Sequence, residues 1–256
     1  EWNKAFEKIG FVDALEVRVQ KDNESWDPED ARYNTIRWIA GASFAIGPSR
    51  VNPLSGQILD ADILINEGFV RSCQRKYTTF FDQVQQERDH WIESSPFKCN
   101  MASGLSHQMN FMATAMAVRE LVGLDGEMPE EYLGQALKAL TMHEVGHTLG
   151  LRHNFKASSM LSLDQLNDKT RSALLGSVMD YDPVNIAPKG EAQGNYYTTT
   201  IGPWDYWAIE YAYKPIESKI PEDELPELSK IAARAPSPEL AYGTDGDVSW
   251  YRYRDL

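Results

Sequence analysis

Residues 143–154 contain three histidines in a spacing that constrains both the local fold and the chemistry. The segment reads His-Glu-Val-Gly-His-Thr-Leu-Gly-Leu-Arg-His-Asn. His143 and His147 are four residues apart, so on a helix their imidazoles project from the same face, one turn apart. That spacing lets two ring nitrogens reach one Zn²⁺ at ~2.0–2.1 Å each. The pattern therefore predicts a helix that carries two ligands of one catalytic zinc ion.

The residues around this pair complete a catalytic metal site. Glu144 lies about 100° around the helix from His143, where its carboxylate can reach a water on the metal. Gly150 can adopt the left-handed conformation that ends a helix and turns the chain. We therefore expect His153 to return as the third ligand and to leave a fourth position for water. The alternative is a helix with solvated or core histidines, but the full pattern arises by chance on the order of 10⁻⁵.

Composition excludes several classes of partner. The chain has 256 residues, 38 acidic and 25 basic side chains, and a net charge of −13. An acidic chain without a block of Lys or Arg argues against nucleic acid or an anionic membrane surface as partner. Its apolar runs are too short for a transmembrane segment. Cys73 and Cys99 could form a disulfide or remain two thiols, and the sequence leaves both readings open.

Residue patterns predict an α+β fold in which strands precede most helices. Alternating or β-branched runs predict strands at Ala14–Val19 and Asn34–Ala40, and a hairpin that joins Ala42–Gly47 to Gln57–Ile65. Apolar spacing and composition predict helices at 1–9, 70–91, 106–121, 130–149, 203–213 and 225–234.

The active-site motif also resembles a known signature. Segment 143–153 resembles the HExxHxxGxxH sequence of the metzincin zinc proteases. Ser177-Val178-Met179-Asp180-Tyr181 is similar to their Met-turn. The resemblance implies that Met179 packs beneath the three imidazoles and that Tyr181 is a switchable zinc ligand or an oxyanion donor. The alternative for Tyr181 is an ordinary core or surface tyrosine.

Three further stretches resemble the secreted bacterial metalloproteases often called the met-zincin family. They are Trp2–Glu7, Arg32–Trp38 and Gly202–Ala208. The resemblance implies an extracytoplasmic peptidase, whether secreted, periplasmic or anchored at the surface. It also implies flanking domains in a longer protein, and a chain that starts at Glu1 is consistent with that expectation.

The resemblance implies a metzincin-like, single catalytic domain over residues 1–256. We expect an upper subdomain, 1–150, with a twisted mixed β-sheet and the active-site helix above the cleft. A mostly irregular and helical lower subdomain, 151–256, would hold His153 and the Met-turn. An extended polypeptide substrate would pair with an edge strand, placed at Ala42–Gly47 or its hairpin mate.

Some residues depart from the family pattern or are weaker candidates. Asn154 stands where better-known metzincins carry Asp, Glu, Ser or Pro, and its amide can still tie the loop to the backbone. His90 and His107 have no ligand-like spacing and are expected in structural or surface roles. Residues 245–247 are predicted to form a turn, not a cation site. For Trp204, Trp207 and Tyr211, core packing is favoured over a substrate subsite.

The resulting hypothesis is a zinc-dependent endopeptidase with Glu144 as general base. One alternative is a non-catalytic, zinc-stabilised module that binds a peptide without cutting it. A second alternative is a zinc amidase that acts on a non-protein peptide, such as one from a cell wall.

Overall fold

The computed structural model describes residues 1–39, 47, 49–66, 101 and 130–247. The helices predicted at 70–91 and 106–121 lie outside the described residues, as do both cysteines, His90 and His107. Within the described part of the chain, no helix combines the length and apolar character that a membrane crossing needs.

The chain begins with helix α1, Trp2–Glu7. It forms because Trp2, Ala5 and Phe6 share one helical face, and all three are buried. The strand predicted at Ala14–Val19 is wrong. Alternation alone does not supply a neighbouring strand: the backbone of Leu15 bonds to the Asn3 side chain instead, and the alternating valines at 17 and 19 are exposed.

The described sheet is mixed, as predicted, and has three strands. Its strands are β1, Thr35–Ile39, β2, Ser49–Val51, and β3, Ile58–Asn66, in the order β1-β3-β2. Strand β1 is parallel to β3, whereas β2 is antiparallel to it. The turn between β2 and β3 is closed by a hydrogen bond from the Asn52 amide to the Gln57 carbonyl (2.8 Å).

This arrangement corrects two details of the predicted hairpin. A strand, Ser49–Val51, occupies part of the stretch predicted as the turn, whereas residues 42–46 of the predicted first strand lie outside the described part of the chain, so that strand stays a prediction. The second strand of the hairpin, β3, has β1 on one side and β2 on the other. The hairpin mate is therefore the central strand of the described sheet, so it does not provide the edge expected for the substrate.

Helix α2, Glu130–Thr148, carries the motif and lies between two apolar cores. The residues Glu130 and Glu131 in its first turn complement the positive end of the helix dipole. The first core joins this helix to the sheet; its buried members are Ile63, Ile65, Met101, Tyr132, Ala136, Ala139, Leu140 and Tyr197. The predicted active-site helix is confirmed, and its first half is anchored on β3.

The second core fixes the other half of α2. Helix α2 is followed along the chain by the four-residue helix α3, Leu163–Leu166. Helix α4 spans Pro203–Tyr213, and helix α5 spans Leu225–Ala232. Short 3₁₀ turns occupy Ala157–Ser159, Pro221–Glu224 and Pro238–Leu240. The buried residues of this core come from α1, α2, α4 and the segments around them: Trp2, Ala5, Phe6, Met142, Val178, Met179, Ile201, Trp204, Ala208, Ile209 and Leu240.

These elements confirm the α+β class and the helical, irregular character of residues 151–247. Trp204 packs in the second core, as expected. The Trp207 indole donates to the Ile231 carbonyl (2.8 Å), and Tyr211 is 45% exposed. Helix α1 packs against α4, so contacts cross residue 150. The division into subdomains at that residue stays a prediction.

Candidate active site

Helix α2 ends in the glycine turn that the sequence predicts. Gly150 has φ of +86°, which a residue with a β-carbon rarely adopts. Its N–H bonds to the His147 carbonyl (2.9 Å), and the next amide, of Leu151, bonds back to the Gly146 carbonyl (3.0 Å). These two bonds form a Schellman motif, which satisfies the last carbonyls of the helix and reverses the chain. His153 can return to the helix because of this turn.

The structure brings the three histidines together. One ligand atom from each of His143, His147 and His153 can be chosen so that all lie within 4.8 Å of one another. The ring centroids are 4.7 Å apart for 143 and 147, 4.8 Å for 147 and 153, and 5.4 Å for 143 and 153. The cluster is buried or half-buried.

Each imidazole is held through its Nδ1 atom. His143 donates from Nδ1 to the carbonyl of Val178 (2.7 Å), and His147 donates to the carbonyl of Leu151 (2.9 Å). His153 Nδ1 lies 2.9 Å from Oδ1 of Asp245. A carbonyl oxygen only accepts, so the first two rings carry their proton on Nδ1. In the neutral form this leaves the Nε2 lone pair available to a metal.

The remaining nitrogens fit a metal ion. Nε2 of His147 and Nε2 of His153 are buried without a hydrogen-bond partner within the described part of the chain. The pKa of His147 is lowered to about 4, mainly by burial, with a smaller contribution from His153. Burial also lowers the pKa of His143 well below its usual value. Neutral imidazoles with buried, unpartnered nitrogens are the donors that Zn²⁺ prefers.

Glu144 is fully buried at the start of the motif. Gly47 passes close to it: a β-carbon built on Gly47 would lie 2.7 Å from the Glu144 carbonyl oxygen and 3.1 Å from Oε2. Only glycine allows the backbone at this position to approach the Glu144 carbonyl so closely. Gly47 therefore lies against the predicted general base.

Tyr181 lies beside the histidine cluster. Its ring centroid is 4.9 Å from that of His153 and 6.0 Å from that of His143. Phe155 completes the aromatic group, 5.0 Å from His153 and 5.1 Å from Tyr181. Tyr181 is half-buried, and it also packs against the first apolar core.

The predicted Met-turn packs directly beneath helix α2. Met179 is fully buried, and a β-carbon on Gly146 would overlap its sulfur. On the helix side, Trp2 lies near the same glycine and donates from its indole to the Met142 carbonyl (3.0 Å). The Met179 carbonyl accepts from the Asn154 amide (2.9 Å), which joins the turn to the residue after His153.

Asn154 performs the role expected for it. Its side chain is fully buried and donates to the Ala241 carbonyl (3.0 Å). Its Oδ1 accepts from the amide of Gly243 (3.2 Å). The amide thus ties the loop after His153 to the backbone. An ionised acidic side chain has no N–H group that could donate to the Ala241 carbonyl.

Asp205 holds the Met-turn from below. Its carboxylate accepts from the Ser177 hydroxyl (2.6 Å), the Val178 amide (2.9 Å) and the Gly202 amide (2.8 Å). Gly202 must be glycine because a β-carbon there would overlap the Gly176 backbone. The amino end of α4 is therefore clamped onto the turn.

Sequence reasoning missed three residues that shape this site. The motif does not specify the residue at position 146, where the structure requires glycine. For residues 245–247 the sequence predicts only a turn. They do form a turn, but it presents Asp245 to His153. The third, Asp205, stood only within a stretch of family resemblance. Its place two residues after Pro203 is typical of a helix amino end and could have indicated a capping role, whereas no local signal indicates Asp245.

A helix with two histidines, a glycine turn, a third histidine and a buried methionine turn define the metzincin class of zinc metalloproteases. The model of the Met-zincin family matches residues 125–254, just over half of the chain. The chain belongs to the Met-zincin family. No curated protein and no solved structure matches it. The family and the histidine cluster together indicate a zinc metalloprotease.

The packing at Gly146 predicts opposite effects for two glycines of the same helix. Gly134→Ala should raise the free energy of unfolding by up to about 1 kcal/mol, because its β-carbon meets nothing within 4 Å and alanine favours the helix. Gly146→Ala should lower it by about 1–3 kcal/mol through overpacking against Met179. Urea unfolding of both variants measures the difference. Equal effects would contradict the proposed contact.

The burial of Asp205 predicts a pH-dependent contribution to stability. Burial raises its pKa from 3.8 to about 6, although its three hydrogen bonds oppose the rise. The folded protein thus holds this proton more tightly than the unfolded chain, so the group's contribution falls as pH rises from about 4 to about 6.

Asp205→Asn removes this titration and turns an amide N–H toward backbone donors. We expect a less stable protein at every pH, with a loss about 1–2 kcal/mol smaller at pH 7.5 than at pH 5. Urea unfolding at both values tests this, and the exposed Asp223→Asn variant reports the effect of removing one charge. An equal loss at the two pH values would show that Asp205 does not titrate in this range.

Proposed function

We propose that this chain is a zinc-dependent endopeptidase. His143, His147 and His153 are its metal ligands, Glu144 is its general base and Tyr181 is its oxyanion donor. The observation that carries the proposal is the orientation of the imidazoles. Two of them hold their Nδ1 proton on a backbone carbonyl, and two buried Nε2 atoms have no partner within the described residues.

The residues divide the work of peptide hydrolysis among them. A zinc ion bound by the three histidines would lower the pKa of a water toward ~7 and polarise the scissile carbonyl. Glu144 takes the proton of the attacking water and later passes it to the leaving amine. Its burial keeps the carboxylate out of bulk solvent, beside the histidines that would hold the metal.

Tyr181 acts on the charge that develops on the carbonyl oxygen. Its phenolic hydroxyl donates a hydrogen bond to that oxygen in the transition state. The position of its ring beside His153, together with its partial exposure, supports this role. The Phe155 ring packs edge-to-face against that of Tyr181 and limits how the tyrosine can turn away from the cluster.

The substrate we propose is an extended polypeptide that lies between an upper subdomain, 1–150, and a lower one, 151–256. We place the strand that binds the peptide at Ala42–Gly47, and the close approach of Gly47 to Glu144 supports this position next to the general base. Such a strand would bind the peptide through backbone hydrogen bonds. The proposal extends to an extracytoplasmic enzyme with flanking domains, as the family resemblance implies.

The direct test is product profiling by mass spectrometry on a diverse peptide library. The zinc-loaded chain is compared with its Glu144→Ala variant. Internal cuts made by the wild type alone would support an endopeptidase and would reveal its subsite preferences. A folded, zinc-bound wild type that cuts no peptide would overturn the endopeptidase proposal and favour the peptide-binding alternative.

Removing the carboxylate of Glu144 should separate metal binding from turnover. We expect Glu144→Ala to keep zinc and to lose about 10²–10⁴-fold in kcat, the usual contribution of a general base. His147→Ala should lose both, because it removes a ligand. Zinc content and peptidase rate are measured together, with Glu130→Ala on the exposed first turn of α2 as the charge-matched control. Near-full peptidase activity in Glu144→Ala would contradict the role of Glu144 as general base.

Removing the hydroxyl of Tyr181 should affect the reaction and leave the fold unchanged. We expect Tyr181→Phe to lose roughly 10–10³-fold in kcat, comparable to the loss of one oxyanion donor. The exposed Tyr211→Phe variant removes a hydroxyl elsewhere and serves as control. Steady-state kinetics on a cleaved peptide provide the measurement. A rate equal to wild type would reduce Tyr181 to a structural residue.

A further inference from the structure

The three histidines of the cluster have chemically different partners. His143 and His147 donate to backbone carbonyls, which are neutral. His153 faces a carboxylate oxygen, Oδ1 of Asp245, at 2.9 Å. A carboxylate partner makes an imidazole a more basic ligand than a carbonyl partner does. His153 is therefore the histidine whose donor strength depends on a distant side chain.

Asp245 reaches the cluster on a segment that the loop after His153 holds in place. We define the C-terminal strap as residues 241–247. Asn154 bonds to it twice, through the Ala241 carbonyl (3.0 Å) and the Gly243 amide (3.2 Å). The Phe155 amide donates to the Gly243 carbonyl (2.7 Å). The strap thus runs alongside the residues that directly follow His153.

Two further contacts fix the ends of the strap. The ring of Tyr242 stacks on that of Trp204 with an interplanar angle of 2° and a centroid distance of 5.4 Å. At the other end, the Thr244 amide donates to a carboxylate oxygen of Asp247 (3.0 Å), and the Asp247 amide donates back to the Thr244 carbonyl (2.8 Å). This turn presents the intervening Asp245 to His153.

The second oxygen of Asp245, Oδ2, has two weaker contacts, the first of which is a hydrogen bond from the hydroxyl of the adjacent Thr244 (3.3 Å). Arg152 lies 3.6 Å from Oδ2, but its side chain is 68% exposed. Exposed ion pairs at this distance contribute little to stability. The side chain of His153, by contrast, is 7% exposed, so its bond to Asp245 is better shielded than the ion pair with Arg152. The geometry favours an orienting role toward the histidine over a surface ion pair.

We propose that Asp245 is a positioning residue for the metal site and that the C-terminal strap is thermodynamically coupled to metal binding. The proposal rests on the zinc site proposed above. Asp245 orients the His153 ring and makes its Nε2 a stronger donor. By reciprocity, a metal that gains affinity from the docked strap must stabilise the docked strap to the same extent.

The experiment compares zinc affinity in the full chain and in three variants, by competition with a chelator at pH 7. Asp245→Ala removes the partner, whereas Asp245→Asn keeps the shape and an acceptor oxygen but removes the charge. Glu239→Gln, on the exposed turn before the strap, removes one charge elsewhere. We expect zinc affinity to fall about 10–100-fold in Asp245→Ala, as for other partners of metal-bound histidines. It should fall less in Asp245→Asn and stay unchanged in Glu239→Gln.

Two readouts distinguish this role from a merely structural one. The visible absorption of the Co²⁺-loaded protein should shift in Asp245→Asn, because the ligand field changes while the fold remains. Hydrogen exchange should show that zinc slows exchange of the strap amides in the wild type more than in Asp245→Ala. An unshifted Co²⁺ spectrum together with wild-type zinc affinity in Asp245→Asn would overturn the proposal.

The outcomes also separate this inference from the proposed function. A folded wild type that binds no zinc would contradict both the endopeptidase proposal and the proposed role of Asp245. A wild type that binds zinc as tightly as Asp245→Ala would sink only the role of Asp245. If Asp245→Ala fails to fold, Asp245→Asn alone decides, since it preserves the shape of the strap.

Discussion

The contact between Met179 and helix α2 at Gly146 is the packing constraint on which the site depends. Because Gly146 has no β-carbon, the methionine sulfur can approach the helix backbone. This close approach fixes how near the Met-turn lies to helix α2. The Val178 carbonyl can then accept from His143, and the Met179 carbonyl from the amide after His153. A looser contact would misplace both acceptors together.

A buried polar network maintains this contact. Asp205 places three donors of the turn and of the α4 amino end around one carboxylate. Burying that charge is costly, as its raised pKa indicates, and the hydrogen bonds offset part of the cost. In return, these hydrogen bonds hold the Met-turn in a single conformation. Pre-organisation of this kind matters because a metal site tolerates only small errors in ligand position.

Sequence reasoning succeeded where the determinant is local. The helix α2 and the turn at Gly150 follow from residue spacing and backbone sterics alone, and so does the return of the chain toward the helix. The hairpin before residue 66 was also predicted; its second strand, Gln57–Ile65, corresponds closely to β3, whereas most of its first strand lies outside the described residues. The strand predicted at 14–19 failed because alternation indicates a half-buried strand only when a neighbour exists to bury one face.

The sequence by itself determined the residue types and the spacing that place two histidines and a glutamate on one helix. It also determined the glycine turn that returns the third histidine, because the end of a helix depends on residues only a few positions apart. Only the tertiary structure decided which groups orient those histidines. Asp245 lies 92 residues from His153 along the chain, and Asp205 lies 28 residues from Ser177. Such pairs meet because apolar cores form between distant segments, and local residue patterns do not specify how those cores come together.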